Sequence, residues 1–174
     1  VKFISNNSAE KLHLLEIKKL IAGSDHLVIC SGWMKLGGLK LLKSAIRNAV
    51  RRGCNVAIYT NPAHTEPACI KELAAWGGVF HAMPTEKYFH SKLYYGRRGN
   101  EYTAIVGSAN VTAAALGGGV NDELSVRVTG SVLDQAHDEL AMYLQNLPKQ
   151  LSDEDSPQPV SDALDLHADA HEAE

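Results

Sequence analysis

The sequence predicts an α/β protein with a mixed, largely parallel central sheet flanked by helices. Two observations carry that prediction. First, from the N-terminus to Met83, short apolar runs of strand length alternate with segments of helical periodicity. Second, glycine or proline ends most of these segments: Gly23, Gly53, Asn61-Pro62 and Gly77-Gly78. After Met83 the rhythm changes. Tyr88–Gly96 and Glu101–Gly107 read as strands joined only by Arg97-Arg98-Gly99-Asn100, a gap that implies an antiparallel hairpin.

Each element has its own signal. Lys2–Ser5 reads as a short strand. Asn7 with Glu10 resembles a capping box, opening a helix that runs to Ala22. His26–Ser31 is a compact buried strand, from which Ser31-Gly32-Trp33 turns out. Leu39, Leu42, Ile46 and Val50 recur at helical spacing, with Lys40, Lys43, Arg47, Arg51 and Arg52 on the other faces. Asn55–Thr60 is a second buried strand. Thr65 is expected to cap a short helix bearing Ile70, Leu73 and Trp76, and Val79–Met83 is expected to be a third central strand. Asn110–Leu116 suits a short helix before the loop Gly117-Gly118-Gly119. Glu123–Thr129 suits a further strand. Ser131 is expected to cap a last helix that turns Leu133, Ala136, Leu140, Tyr143, Leu144 and Leu147 to one side.

Composition sets the class. A chain of 174 residues, 45% hydrophobic and 21% charged, suits one globular domain able to bury a core. No apolar run is long enough to cross a membrane as a helix. The first residue is Val1 rather than Met, so an upstream segment is expected, and the cytoplasm is the expected compartment. Cys30, Cys54 and Cys69 are odd in number and widely spaced, which fits small buried hydrophobes better than a disulfide framework or a Cys54/His64/Cys69 zinc site. All 17 basic residues lie in 1–149, whereas eight of the 20 acidic ones lie in 150–174. Residues 1–149 therefore read as one basic catalytic domain. Residues 150–174, rich in Ser, Asp, Pro and Ala, read as an acidic disordered tail.

Reactive side chains concentrate between Phe89 and Glu123. His90 and Lys92, two apart on an expected strand, would share one face. Ser108 and Asn110 follow the next strand, where a hydroxyl, an amide and free helix N–H groups can donate to phosphate oxygens. Glu123 opens the strand after that, and a carboxylate beside an imidazole fixes its tautomer. Taken singly, these residues fit a solvated strand face, a helix cap and a surface acid better than they fit a reactive site. Together they suit an attack on phosphorus without a metal. His81 reads as a core or edge histidine, and His13, His26, His64 and His137 as surface or helix-flank residues. Trp33 reads as a core aromatic or as a border of the pocket.

The set His90-Ser91-Lys92, Gly107-Ser108-Ala109-Asn110 and Asn121-x-Glu123 resembles the signature of the phospholipase D superfamily, H-x-K-x4-D followed by G-S-x-N and a downstream acid. The resemblance spans nearly all of 1–149. It departs at one place: the motif aspartate falls on Arg97. The resemblance implies the phospholipase D-like fold, with His90 as nucleophile forming a phosphohistidine. Lys92, Ser108 and Asn110 would hold the non-bridging oxygens, and Glu123 would orient His90. No cofactor and no metal are implied. A second histidine must protonate the leaving oxygen, and the chain holds one H-x-K only. A homodimer with a shared site is therefore expected.

Small single-motif chains resemble the nuclease and restriction-endonuclease branch, so DNA or RNA is the expected substrate and no membrane partner is expected. Arg97-Arg98, Lys35, Lys40 and Lys43 are candidate backbone contacts. A phospholipid phosphodiesterase is the alternative enzyme, and a catalytically weak DNA-binding or dimerisation module is the alternative outside enzymes.

Overall fold

The computed structural model describes residues 1–6, 12–118 and 120–149. The expected cap at Asn7 and Glu10, Gly119 and the acidic tail lie outside the described residues. Seven strands form one sheet: β1 (Lys2–Ser5), β2 (His26–Ser31), β3 (Asn55–Thr60), β4 (Val79–Ala82), β5 (Lys92–Arg98), β6 (Glu101–Gly107) and β7 (Leu124–Ser131). Their order is β1-β7-β6-β5-β2-β3-β4. The helices are α1 (Leu12–Ala22), α2 (Leu36–Arg51), α3 (Pro67–Trp76), α4 (Ala113–Leu116) and α5 (Gln135–Gln145).

The sheet is mixed as expected, but it is not largely parallel. Only β2–β3 and β3–β4 pair in parallel, through the α2 and α3 crossovers. β5 enters beside β2 antiparallel, and β5, β6, β7 and β1 then pair antiparallel in turn. The physical reason is connection length. Parallel neighbours need a crossover helix, and after Met83 the strand connections are too short to hold one, except at α4, whose strands lie side by side antiparallel. β4 is consequently an edge strand, not a central one.

The main core lies between the sheet and helices α1, α2, α3 and α4, built on Ile17, Ile21, Leu27, Ile29, Leu39, Leu42, Ile46, Ile58, Tyr94 and Ile105. Of the expected α2 stripe, Leu39, Leu42 and Ile46 are buried and Val50 is half-buried, with Ala49 buried beside it. The opposite face carries Val28, Cys30, Tyr59, Leu93, Tyr95 and Tyr102, covered by Leu140, Leu144 and Leu147. Leu133 and Tyr143, expected on the buried side of the last helix, are exposed. Leu133 precedes the helix, which starts at Gln135: Asp134, not Ser131, is its N-cap. All three cysteines are buried, and burial pushes the Cys30 thiol up to about 12.

The last strands leave part of that second face open. Phe3 and Val106 both register with Val126, and Leu124 lies two residues from Val126, so these four side chains share a face. Phe3, Val106 and Leu124 are all exposed.

Gly38 sets how closely α2 approaches the loop after β6. A Cβ there would lie 2.4 Å from the Thr112 backbone nitrogen and 2.5 Å from the Val111 carbonyl carbon, and neither can retreat cheaply. Alanine is intrinsically the better helix former, by about 1 kcal/mol. The clash outweighs that gain, and we expect Gly38→Ala to destabilise the fold by about 1–3 kcal/mol. The midpoint of urea unfolding measures it; an unchanged or raised midpoint would contradict the packing described.

Candidate active site

The topology brings one end of several strands together. The C-terminal ends of β2 and β6 lie beside the N-terminal ends of β5 and β7, because β5 and β7 run opposite to β2 and β6. His90, Lys92, Ser108, Asn110 and Glu123 all fall at that end. Contrary to the expectation of a strand over Tyr88–Gly96, His90 precedes β5 and is not on a strand. The alternation of strand faces therefore does not explain how it meets Lys92.

What joins them is direct contact. The Lys92 ammonium lies 2.9 Å from Nδ1 and 3.0 Å from Nε2 of His90, and donates to the His90 carbonyl at 2.9 Å. An ammonium only donates, and the two ring nitrogens cannot both turn a lone pair to it, so which of them accepts depends on the tautomer. Lys92 is half-buried. Burial lowers its pKa, and the Glu123 carboxylate partly opposes that shift. Gly32 lets β2 lie against the imidazole: a Cβ there would be 3.0 Å from His90 Cδ2 and 3.1 Å from its Cα.

The 108–111 loop is pinned from several directions. Tyr94 donates to the Ala109 carbonyl at 3.1 Å, Val111 N–H to Ser31 Oγ at 2.9 Å, and Trp33 N–H to Asn110 Oδ1 at 2.9 Å. With Oδ1 accepting from Trp33, the amide NH2 of Asn110 is left to donate. Ser108 is placed differently. Its hydroxyl donates to Glu123 Oε2 and accepts from Leu124 N–H at 3.1 Å. Glu123 Oε1 accepts from Asn121 Nδ2 at 3.0 Å, and the residue is only 5% exposed. Both carboxylate oxygens thus bond Ser108 and Asn121. The expected bond from Glu123 to His90 is not among them.

Behind this carboxylate lies a buried polar network that the sequence did not signal. His13 is fully buried on α1, not at the surface as expected. Its Nδ1 is 2.7 Å from Asn6 Oδ1 and its Nε2 is 2.9 Å from Ser125 Oγ. Asn6 also donates its backbone N–H to the Glu123 carbonyl at 3.1 Å and its amide to Ala115 O at 2.7 Å. A polar residue at helical spacing among leucines carries no mark of its burial, so spacing alone could not find it. His64 was likewise read as a flank residue. It stacks on Trp33, ring centroids 4.8 Å apart. His137 lies 3.0 Å from the Tyr95 hydroxyl and His81 2.8 Å from Thr60 Oγ1.

Arg97 and Arg98, expected backbone contacts, do not reach this end. Arg97 registers with His26, whereas Lys92 registers with Ser31, at opposite ends of β2. Five residues of strand separate them, about 17 Å. Arg97-Arg98 are therefore outside the site, and the motif's missing aspartate falls outside it too. Lys35 pairs with Glu66 and Lys43 with Glu72. Among the described residues no group of three or more His, Cys, Asp or Glu could hold a metal ion, and no helix is long and apolar enough to cross a membrane.

No family model and no curated protein matches the sequence. Solved structures do. The fold is similar to that of Nuc from Salmonella typhimurium, a phospholipase D family member, with TM-score 0.61 and 19% identity over 83% of this chain and 92% of that one. The chain has the phospholipase D fold. It is also similar to NucT from Helicobacter pylori, with TM-score 0.61 and 16% identity over 83% of this chain and 93% of that one. A more distant likeness, TM-score 0.50 at 14% identity, is to TrmBL2, an archaeal chromatin protein whose structure shows a mode of DNA binding; it covers 83% of this chain and 50% of that one. The phospholipase D fold places the H-x-K segment and the G-S-x-N loop at adjoining strand ends here, as the sequence resemblance implies.

Burial lowers the pKa of His13, His26 and His81, with Arg97 adding to the effect at His26. In the unfolded chain these groups titrate near 6.5. The unfolded state then binds more protons below that pH, so their contribution is fully present above 6.5 and is lost as pH falls through the lowered folded values. We expect stability to decline from about pH 6.5 downward. His13→Gln should be less stable at neutral pH and should show a shallower decline, by urea unfolding at a series of pH values. An unchanged slope would mean that His13 is not held neutral by burial.

Proposed function

We propose that the protein is a metal-independent phosphodiesterase, an endonuclease cleaving DNA through a phosphohistidine in a site shared by two subunits. The observation that carries this reading is the Lys92–His90 contact, set beside an Asn110 amide whose carbonyl is already engaged. That contact sets an imidazole, which can attack phosphorus, against an ammonium, which can donate to the phosphate oxygens.

A ring nitrogen of His90 attacks phosphorus, the P–N bond forms and the P–O bond to the leaving oxygen breaks. The partner subunit's His90, protonated, gives that oxygen its proton. Water then attacks phosphorus and passes its proton back to the same imidazole, and the P–N bond breaks. Lys92 and the Asn110 amide donate to the non-bridging oxygens. Ser108 can add a donor there only by releasing Glu123, so Ser108 and Glu123 act as a pair. The donors at the site are an ammonium and amides, and the one carboxylate has both oxygens bonded. This set suits direct anion stabilisation better than it suits a hard cation, which takes several oxygen ligands.

One H-x-K per chain leaves the general acid to a second copy. Of the exposed apolar group Phe3, Val106 and Leu124, the last two lie close to Ser108 and Glu123 in sequence, and the group is the surface that a second copy would cover. The likeness to Nuc and to a DNA-binding chromatin protein supports nucleic acid over phospholipid as substrate.

The test is cleavage of plasmid DNA in EDTA. Wild type is expected to cleave, and His90→Ala to lose at least about a thousandfold in rate, as removal of a nucleophile does. Full inhibition by EDTA would refute the metal-free route. Salt-sensitive DNA binding with no cleavage would favour the binding module. Sedimentation of the active protein as a strict monomer would refute the shared site.

A further inference from the structure

The phosphoryl chemistry leaves a row of rings unexplained. Tyr88, two residues before His90, is 65% exposed, and its ring centroid lies 5.8 Å from that of His90 at 33°. Tyr88 meets His64 at 5.8 Å and 76°, and His64 stacks on Trp33 at 4.8 Å and 22°. Trp33 is 42% exposed. Neither Trp33 nor Tyr88 belongs to either hydrophobic core. Large aromatic rings in water need a reason, and these line up outward from the imidazole.

The row is held, not loose. Trp33 N–H is bonded to Asn110 Oδ1, and its carbonyl accepts from Ser31 Oγ at 2.6 Å. The Trp33 backbone is thus fixed to the phosphate-binding loop, while His64 covers one face of its indole. A fixed ring loses little entropy when a flat ligand settles on it.

We propose that Trp33 and Tyr88 form a stacking platform for unpaired nucleobases flanking the scissile phosphate, which makes single-stranded nucleic acid the preferred substrate. The proposal rests on the nuclease reading above and names its substrate class. Every base offers a π-face, so such a platform is tolerant of sequence. Bases inside a duplex are already stacked on their neighbours, and reaching these rings would require unstacking them first. Phosphate contacts alone would not distinguish single strand from duplex in this way.

The experiment uses the full chain carrying His90→Ala, so that bound strands are not cut, and reads fluorescence anisotropy at one salt concentration. The probes are a short oligothymidylate, an abasic strand of the same length and the corresponding duplex. We expect the oligothymidylate to bind about tenfold or more tightly than the abasic strand, the range that base–aromatic stacking supplies. Adding Trp33→Ala or Tyr88→Ala should collapse that ratio towards one, while Trp33→Phe and Tyr88→Phe should preserve most of it. An undiminished ratio in both alanine variants overturns the platform. So does a duplex that binds as tightly as the single strand. If either alanine variant instead sediments as a smaller species than wild type, the rings are contacts between copies and the proposal fails. Loss of the nuclease reading is separable: there, wild type cleaves no DNA in EDTA and no probe binds. If wild type cleaves but the base-to-abasic ratio is insensitive to the rings, the platform alone is lost.

Discussion

A buried carboxylate must be given donors or lose its charge, and burying one unpaired costs several kcal/mol. Glu123 is that group here, and much of the site end is arranged around it. Ser108 and Asn121 bond its oxygens, and Asn6 bonds its carbonyl. Through Asn6 and His13 the same end of β7 is tied to β1 and α1, and through Ser108 it is tied to the end of β6. Gly107 permits this closeness: a Cβ there would lie 2.4 Å from the Leu124 carbonyl oxygen. Moving the carboxylate would therefore disturb three strands and a helix together. The G-S-x-N loop owes its position to that shared anchorage as much as to its own residues.

The scaffold was legible because it depends on local signals. The boundaries of β1, β2, β3 and β6 follow from apolar runs ended by turn residues, and the α2 stripe follows from its period. Parallel or antiparallel pairing was less legible. Pairing is a long-range choice made by connection length, and the break in rhythm at Met83 hinted at it without fixing how β7 and β1 would add. His90 shows the limit on the site side. Its pairing with Lys92 was expected, but from strand alternation that does not reach residue 90. The actual cause is Gly32 beside the ring and an ammonium reaching back to it.

The residues missed share one property: their significance is tertiary. His13 sits among leucines in sequence and finds Asn6 and Ser125 only when α1 packs on the sheet. His64 and Tyr88 lie on separate segments and become neighbours only where β3 and β5 share an end. Ser108 was expected to face the substrate. It instead faces a carboxylate fifteen residues away, because the two strand ends approach within hydrogen-bond reach. No window of sequence contains both partners with their distance.

Arg97, the single mismatch to the motif, has a consequence for how this chain could change over time. It is about 17 Å along β5 from Lys92, roughly two screening lengths at physiological ionic strength. The strand acts as an insulating spacer between a reactive end, where charge is tightly constrained, and a distal end, where it is not. Residues at the far end can drift in sign with little effect on the field at the imidazole, and a search pattern that insists on an acid at that position would pass over chains that carry the H-x-K and G-S-x-N residues at adjoining strand ends.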